Sequence, residues 1–167
     1  MKKIIKKICG ILSNVFVALV VICAVFLMGS RILGYRVFNV ISGSMEPQFS
    51  VGDLIFVKQV EPASISVGDA ITFVLNEELV VATHRVVAVD TENSCFYTKG
   101  DANQVVDSAP VHFNNVIGVP QFSIPMLGYV SDLIQNPPGL YITIGIVAAM
   151  IILVFLSDTI RKKADKE

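Results

Sequence analysis

The chain has 167 residues, of which 53% are hydrophobic and only 16% are charged. This length suits one modest domain, and the hydrophobic fraction is high for an ordinary soluble protein. Between about Val37 and Pro138, eleven acidic residues face three basic ones, a net charge of −8. That charge argues against a nucleic-acid partner.

The first element is an apolar run, Ile8–Ser30, that contains no charged residue. At ~1.5 Å per residue it is long enough to cross ~30 Å of hydrocarbon as a helix. It exceeds the ~7–15 residues of a signal-peptide core, and no A-x-A cleavage site follows it. We therefore predict an uncleaved transmembrane helix over residues 8–33, preceded by a basic tail over residues 1–7.

A second uncharged run, Leu140–Leu156, begins just after the helix breaker Pro137–Gly139. It predicts a second transmembrane helix over residues 139–157, followed by a tail over residues 158–167. Because basic residues flank the cytoplasmic ends of spans, both termini are predicted to be cytoplasmic and residues 34–138 extracytoplasmic. The basic residues of the two tails are Lys2, Lys3, Lys6, Lys7, Arg161, Lys162, Lys163 and Lys166.

Between the two spans, short runs rich in Val, Ile, Phe and Thr alternate with turn-forming residues, and no helical period is sustained. This pattern predicts a compact antiparallel domain of mainly β structure. The predicted strands are Leu54–Val57, Ala70–Leu75, Leu79–Ala82, Arg85–Val89, Cys95–Thr98 and Val116–Val119. An apolar stripe at helical spacing over residues 129–134 predicts a short interfacial helix before the second span.

Two Gly-Asp pairs, Gly52-Asp53 and Gly68-Asp69, each precede a predicted strand. Glycine permits the backbone of a tight turn and aspartate closes it, so both pairs predict turns. Cys95 is the single cysteine of this segment, which excludes an intramolecular disulfide there. Its apolar neighbours Phe96 and Tyr97 predict a packed core residue and not a nucleophile.

The first candidates for chemistry are the serines Ser42 and Ser44, which lie near the first span in the stretch NVISGSMEPQF, Asn39–Phe49. A serine needs a neighbouring base, and histidine suits neutral pH. His84 lies in a predicted strand, which would fix its orientation, whereas His112 lies in a proline-containing loop and is predicted to be solvated. His84 is therefore the preferred base. Lys58 and Lys99 are alternative bases for a Ser/Lys dyad.

A carboxylate that accepts a hydrogen bond from the second ring nitrogen would hold a histidine base in the required tautomer. Asp101 and Asp107 follow the Lys99-Gly100 turn, shortly after the predicted histidine strand. The residues by themselves do not choose between these two acids. No His/Cys/acid cluster has metal-ligand spacing, so neither a metal nor a cofactor is expected.

Three motifs, Ser42–Pro47, His84–Val87 and Lys99–Asn103 followed by Asp107, occur in this order. Together they resemble type I signal peptidases of the endoplasmic-reticulum class, called SipW-like in Gram-positive bacteria and grouped in peptidase family S26. The resemblance extends from the first span to about Val119. It implies a β catalytic domain of the signal-peptidase and LexA-like type, flanked by the two transmembrane helices.

The resemblance also implies a role for each matching residue. Ser44 would be the nucleophile, His84 the general base, Asp107 the acid that orients it, and Asp101 a supporting acid. The backbone N–H of Ser44 and the hydroxyl of Ser42 would form the oxyanion hole.

The activity implied is that of a membrane-bound serine endopeptidase, which cleaves signal peptides from exported proteins after small residues at the first and third positions before the cut. The implied partners are these signal peptides and the lipid bilayer, with the translocation machinery as a further candidate. Eleven residue steps from Leu33 reach at most ~36 Å, which keeps Ser44 near the outer membrane surface. There an edge strand would bind the substrate in extended form.

Two alternatives stay open at this point. One is a non-catalytic, membrane-tethered β domain that assembles surface proteins. The other is a signal peptidase restricted to a few surface or matrix proteins.

Overall fold

A computed structural model describes residues 2–75 and 80–164 of the chain. The predicted turn at residues 76–78, the first residue of the predicted strand Leu79–Ala82, and the tail residue Lys166 lie outside the described residues. The side chains of the other basic tail residues also lie outside the described part of the structure.

The chain forms two compact units. One comprises the described residues up to Gly29 and from Asp132 onward, and the other comprises Ser30–Ser131. The helices are α1 (Lys2–Ile32), α2 (Leu127–Gln135) and α3 (Gly139–Ala164). The short helix predicted over residues 129–134 is confirmed as α2.

Within the described residues, none of the helices taken singly has both the length and the apolar composition of a membrane span. A bent pair, Leu127–Gln135 with Gly139–Ile152, meets those two criteria when its members are taken together.

The unit Ser30–Ser131 is built on an antiparallel sheet, so the predicted mainly β antiparallel domain is confirmed. Seven described strands follow one another across it in the order β1-β2-β7-β3-β4-β5-β6. Their bounds are β1 Tyr35–Asn39, β2 Leu54–Lys58, β3 Ala70–Val74, β4 Val81–Asp90, β5 Cys95–Lys99, β6 Val111–His112 and β7 Val116–Ile124. Two single 3₁₀ turns, Pro62–Ser64 and Phe113–Asn115, lie between strands.

The strand predictions hold for β2, β3, β5 and β7, although β7 continues beyond Val119 to Ile124. The two separate runs predicted between Leu79 and Val89 were wrong, because β4 continues through Thr83 and His84 as one strand. The loop prediction for His112 was also wrong, since the residue ends β6, but its side chain is exposed as expected. The sequence did not predict β1, which depends on pairing with β2 about twenty residues later.

Two clusters of buried side chains hold the sheet together. The first packs residues of β3, β4, β5 and β6 and one residue that follows the first 3₁₀ turn against one another: Ile65, Ile71, Phe73, Val86, Phe96 and Val111. The second brings two residues of the Asn39–Phe49 stretch into contact with β2 and β3: Met45, Phe49, Ile55, Val57 and Ala70. Cys95 is buried at the start of β5, which confirms the prediction of a packed core residue.

Both Gly-Asp pairs form turns, as predicted. The backbones of Gly52 and Gly68 have φ of +88° and +100°, a region that favours glycine. The carboxylates of Asp53 and Asp69 each accept a hydrogen bond from a backbone N–H three residues earlier, at 3.0 and 2.8 Å. The two turns therefore share one construction and deliver the chain into β2 and β3.

Close packing between β7 and β2 generates a stability prediction. A Cβ added at Gly118 would lie 2.2 Å from the carbonyl oxygen of Lys58, a backbone atom that cannot move aside easily. Gly118→Ala is expected to lower the free energy of unfolding by about 1–3 kcal/mol. Thermal unfolding of the full chain in detergent measures this. Gly29→Ala is the control, because an added Cβ meets no atom within 4 Å there; equal melting temperatures for both variants would contradict the prediction.

Candidate active site

Ser44 lies in a turn between β1 and β2 that is anchored in the core. The next residue, Met45, is 3% exposed, and Phe49 is 5% exposed. The N–H of Phe49 donates to the carbonyl of Met45 at 3.0 Å, which closes the turn. Burial of these two side chains fixes the backbone, and the half-buried Ser44 therefore has a defined position.

The segment after β5 holds the same serine from a second direction. The N–H of Ala102 donates to the carbonyl of Ser44 at 2.9 Å. A Cβ at Gly100 would lie 2.6 Å from that carbonyl oxygen, so a side chain there would push the two segments apart. The Lys-Gly-Asp motif thus needs its glycine for this close approach.

His84 lies in β4, opposite Ile71 of β3, and its side chain is 16% exposed. Its ring packs edge-on against Phe73, with the ring centroids 6.2 Å apart. The Nε2 atom is 3.2 Å from the Oγ of Ser44, and the Nδ1 atom is 2.6 Å from Oδ2 of Asp107. The strand and the phenyl ring therefore place the imidazole between a hydroxyl and a carboxylate.

These two contacts select the tautomer of the neutral histidine. An ionised carboxylate only accepts hydrogen bonds, so Nδ1 of His84 is the donor to Asp107. Nε2 then has a lone pair directed at the hydroxyl of Ser44. In this form the imidazole can take a proton from the serine.

Asp107 lies in an irregular segment and is attached to β5 through Thr98. Its N–H donates to the carbonyl of Thr98 at 2.9 Å, and the Thr98 hydroxyl donates to Oδ2 of Asp107 at 2.6 Å. The sequence reasoning did not identify Thr98. Its one signal was its position directly before the Lys-Gly-Asp motif, and a threonine in a β run is otherwise an ordinary strand former.

Asp101 has a different partner. Its carboxylate accepts hydrogen bonds from Nε and Nη2 of Arg85 at 2.7 and 2.5 Å. The hydrogen bond to Asp101 and the charge of Asp101 raise the pKa of the Arg85 guanidinium. The two acids are thereby separated: Asp107 contacts His84, and Asp101 contacts Arg85.

Arg85 joins three segments around the site. Besides Asp101, it donates to the carbonyl of Gly68 at 2.7 Å and to the side-chain oxygen of Gln48. Gln48 belongs to the turn that carries Ser44, and Gly68 precedes β3. The guanidinium therefore fixes the serine turn to the strand that carries His84.

Among the remaining sequence candidates, Ser42 lies beside Ser44, whereas Lys58, Lys99 and His112 have other neighbours. The hydroxyl of Ser42 is exposed and lies 3.4 Å from the Ser44 hydroxyl. The Lys58 ammonium lies 5.9 Å from the centre of the Tyr35 ring, and Lys99 pairs with Arg85 in the sheet. His112 accepts a hydrogen bond from the N–H of Asn114 at 3.1 Å.

A groove of about 380 Å³ opens beside the serine. Residues Val40–Ser42 and Val80–His84 form its two walls, and Met45, Phe49 and Ile55 contribute apolar surface between them. Over the described ranges no group of three His, Cys, Asp or Glu residues could hold a metal ion. The absence of a cofactor stays a prediction.

A serine hydroxyl, a histidine and an aspartate in hydrogen-bonded series are the arrangement with which serine hydrolases activate a nucleophile. Comparison with known proteins gives a more specific result. No family model matches the chain. Signal peptidase I W of Bacillus subtilis is 36% identical over 121 residues, which cover 66% of this chain and 63% of that protein.

Eukaryotic proteins show the same similarity. The signal peptidase complex catalytic subunit SEC11C of Homo sapiens is 30% identical over 125 residues, covering 68% of this chain and 65% of that protein. The signal peptidase complex catalytic subunit sec11 of Aspergillus terreus is 28% identical over 142 residues, which cover 68% of this chain and 73% of that protein. The chain thus spans somewhat less than two thirds of the Bacillus and human proteins. The resemblance to signal peptidases of the endoplasmic-reticulum class is confirmed.

The Arg85 network generates a prediction for stability. Arg85→Lys keeps the charge, but one ammonium group cannot reproduce the paired hydrogen bonds to Asp101 and those to Gln48 and Gly68. The variant is expected to lose about 1–3 kcal/mol of unfolding free energy. Thermal unfolding measures the loss, and Arg36→Lys, at the exposed residue of β1, is the matched control. Two indistinguishable unfolding curves would show that the guanidinium network contributes nothing.

Proposed function

We propose that the chain is a membrane-bound serine endopeptidase that cleaves signal peptides from exported proteins. The observation that carries the proposal is the contact series from Ser44 through His84 to Asp107. Similarity to proteins named signal peptidases supports the substrate class. A general peptidase and one restricted to a few proteins would share both features.

The chemistry proceeds in two steps. Nε2 of His84 takes the proton from Ser44 as Oγ attacks the scissile carbonyl, and Asp107 stabilises the imidazolium that forms. The imidazolium gives this proton to the leaving amine, which departs with the mature protein and leaves the signal peptide as an ester on Ser44. Water, deprotonated by the same histidine, then hydrolyses the ester and restores the serine hydroxyl.

The tetrahedral intermediates carry a negative oxygen that needs fixed donors. We assign this role to the backbone N–H of Ser44 and the hydroxyl of Ser42, as the family resemblance implies. The 3.4 Å separation of the two serine hydroxyls supports the assignment of Ser42, because it puts this donor beside the attacking oxygen. Asp101 supports the site indirectly, through the guanidinium of Arg85.

The sheet offers a place for an extended substrate. Residues 81–84 of β4 pair with β3 on one side, whereas the pairing of β4 with β5 begins at Arg85. The second edge of β4 at residues 81–84 borders the groove in the described structure. A substrate strand would pair with this edge and bring its scissile carbonyl to Ser44.

The proposed location is the cell membrane, with spans over residues 8–33 and 139–157 and both termini cytoplasmic. Residues 8–32 lie in α1 and residues 139–157 lie in α3, and both segments are uncharged over long runs. The signal peptide of a precursor is itself an apolar helix in the bilayer. Its cleavage site emerges at the outer surface, where the short connection from Leu33 keeps Ser44.

Variants of the contact series test the proposal. With a model precursor in vesicles, Ser44→Ala and His84→Ala are expected to lower the cleavage rate by about 10⁴-fold or more. Asp107→Asn is expected to lower it by about 10²- to 10⁴-fold, because its amide does not stabilise the required tautomer. Asp101→Asn is expected to lower the cleavage rate by about tenfold or less, when the variant and the wild type are compared at equal amounts of folded protein. Full activity of Ser44→Ala would exclude Ser44 as the nucleophile, and absence of cleavage by the wild type would favour the non-catalytic β domain.

Extended binding predicts a pattern of substrate preference. Alternate side chains of a strand point in opposite directions, so the first and third residues before the cut face the groove and the second faces away. A precursor with Ala→Phe at the first position is expected to be cleaved about 100-fold more slowly. Ala→Phe at the second position is the matched control and should have little effect. Equal cleavage of these two precursors would exclude the extended mode.

A further inference from the structure

One oxygen atom of Asp107 accepts two hydrogen bonds. Oδ2 is 2.6 Å from Nδ1 of His84 and 2.6 Å from the hydroxyl of Thr98. We propose that Thr98 is a positioning residue that fixes the Asp107 carboxylate and, through it, the ring of His84. The inference rests on the proposed peptidase function and adds a fourth residue to its machinery.

Asp107 has little in its own segment to fix it. It lies outside every helix and strand, and the two residues before it, Val105 and Val106, are 75% and 48% exposed. Thr98 is fully buried in β5, with 0% of its surface exposed. A loop carboxylate is therefore oriented by a side chain that the sheet holds rigidly.

The register of the sheet puts Thr98 on the correct face. Thr98 lies opposite Val86 of β4, and cross-strand partners project from the same face. Val86 is two residues from His84, so alternation puts the imidazole and the threonine hydroxyl on one face. Both groups then approach Oδ2 of Asp107 from neighbouring strands.

The two links between Thr98 and Asp107 have separate consequences. The bond from the Asp107 N–H to the Thr98 carbonyl holds the backbone of the segment and survives any change of the threonine side chain. The hydroxyl restrains rotation of the carboxylate. Loss of the hydroxyl should therefore leave the fold unchanged but allow the carboxylate to rotate. A carboxylate that rotates no longer holds His84 in line with Ser44.

A purely structural role is the competing explanation, because any buried hydroxyl needs a partner. The chain offers a matched residue for comparison. Thr72 of β3 is also fully buried, and its hydroxyl is 2.8 Å from that of Thr83. Thr72→Val removes a buried strand hydroxyl without touching Asp107, so it measures the structural cost by itself.

The first test uses the full chain in vesicles with a model precursor. Thr98→Val keeps the shape and removes the donor; it is expected to lower kcat by about 10- to 100-fold with KM changed by less than about twofold. Thr98→Ser restores the donor and should recover kcat to within about threefold of wild type. Thr72→Val should keep kcat within about twofold. An unchanged kcat for Thr98→Val, or equal losses in Thr98→Val and Thr72→Val, would overturn the inference.

A double variant separates positioning of Asp107 from any other effect. If Thr98 acts through the acid, Thr98→Val added to Asp107→Asn should lower kcat by less than about twofold further. If the two losses multiply, Thr98 does not act through Asp107 and the inference is wrong. If Thr98→Val does not fold, Thr98→Ala replaces it in this test; this variant lacks both the hydroxyl and the γ-methyl group of threonine.

A spectroscopic measurement keeps this inference separate from the proposed function. The ring N–H proton of His84 can be observed by NMR in the detergent-solubilised chain and is identified by its loss in His84→Ala. Thr98→Val should shift or broaden this resonance, and Thr72→Val should not. If wild type cleaves no precursor but the resonance responds, the peptidase proposal fails and the positioning role stands. An unchanged resonance in Thr98→Val overturns the positioning role whatever the activity.

Discussion

The site depends on one distance, the 3.2 Å between the Ser44 hydroxyl and Nε2 of His84. The two residues are forty positions apart and belong to different kinds of structure, a turn and a strand. The buried Met45 and Phe49 fix the turn, and sheet pairing fixes the strand. Arg85 connects the two through Gln48. Much of the local structure thus serves to keep a hydroxyl within proton-transfer reach of an imidazole.

The carboxylate of Asp107 is also held in place by groups outside its own segment. A carboxylate orients a histidine only if its own rotation is restrained, and the loop that carries Asp107 provides little restraint. Backbone and side-chain hydrogen bonds from β5 supply it. Asp101 pairs with Arg85 instead, so two acids six residues apart have different partners. The close approach of Gly100 to the Ser44 carbonyl brings the acid-bearing segment and the serine turn together.

Much of the β domain could be predicted because its strands are locally encoded. Runs such as Ala70–Val74 and Cys95–Lys99 are rich in β-branched and aromatic residues; the first follows a Gly-Asp turn and the second ends at a Lys-Gly turn. Strand β1 could not be predicted in the same way, because its five half-buried or exposed residues depend on distant partners in β2. The continuity of β4 through Thr83 and His84 also depends on a neighbouring strand. Pairing with β3 satisfies the backbone there, whatever the local propensity.

The sequence by itself determined the chemical types at the site: a serine in a glycine turn, a histidine in a strand-forming run, and acids after a Lys-Gly turn. It also determined the resemblance to signal peptidases, since the three motifs lie in order along the chain. The resemblance favoured Asp107 over Asp101 as the partner of the histidine, but only the tertiary structure shows the contacts, because the fold places Asp107 against His84 and Asp101 against Arg85. The contact of the Thr98 hydroxyl with Asp107 likewise forms only because the segment after β5 folds back onto that strand.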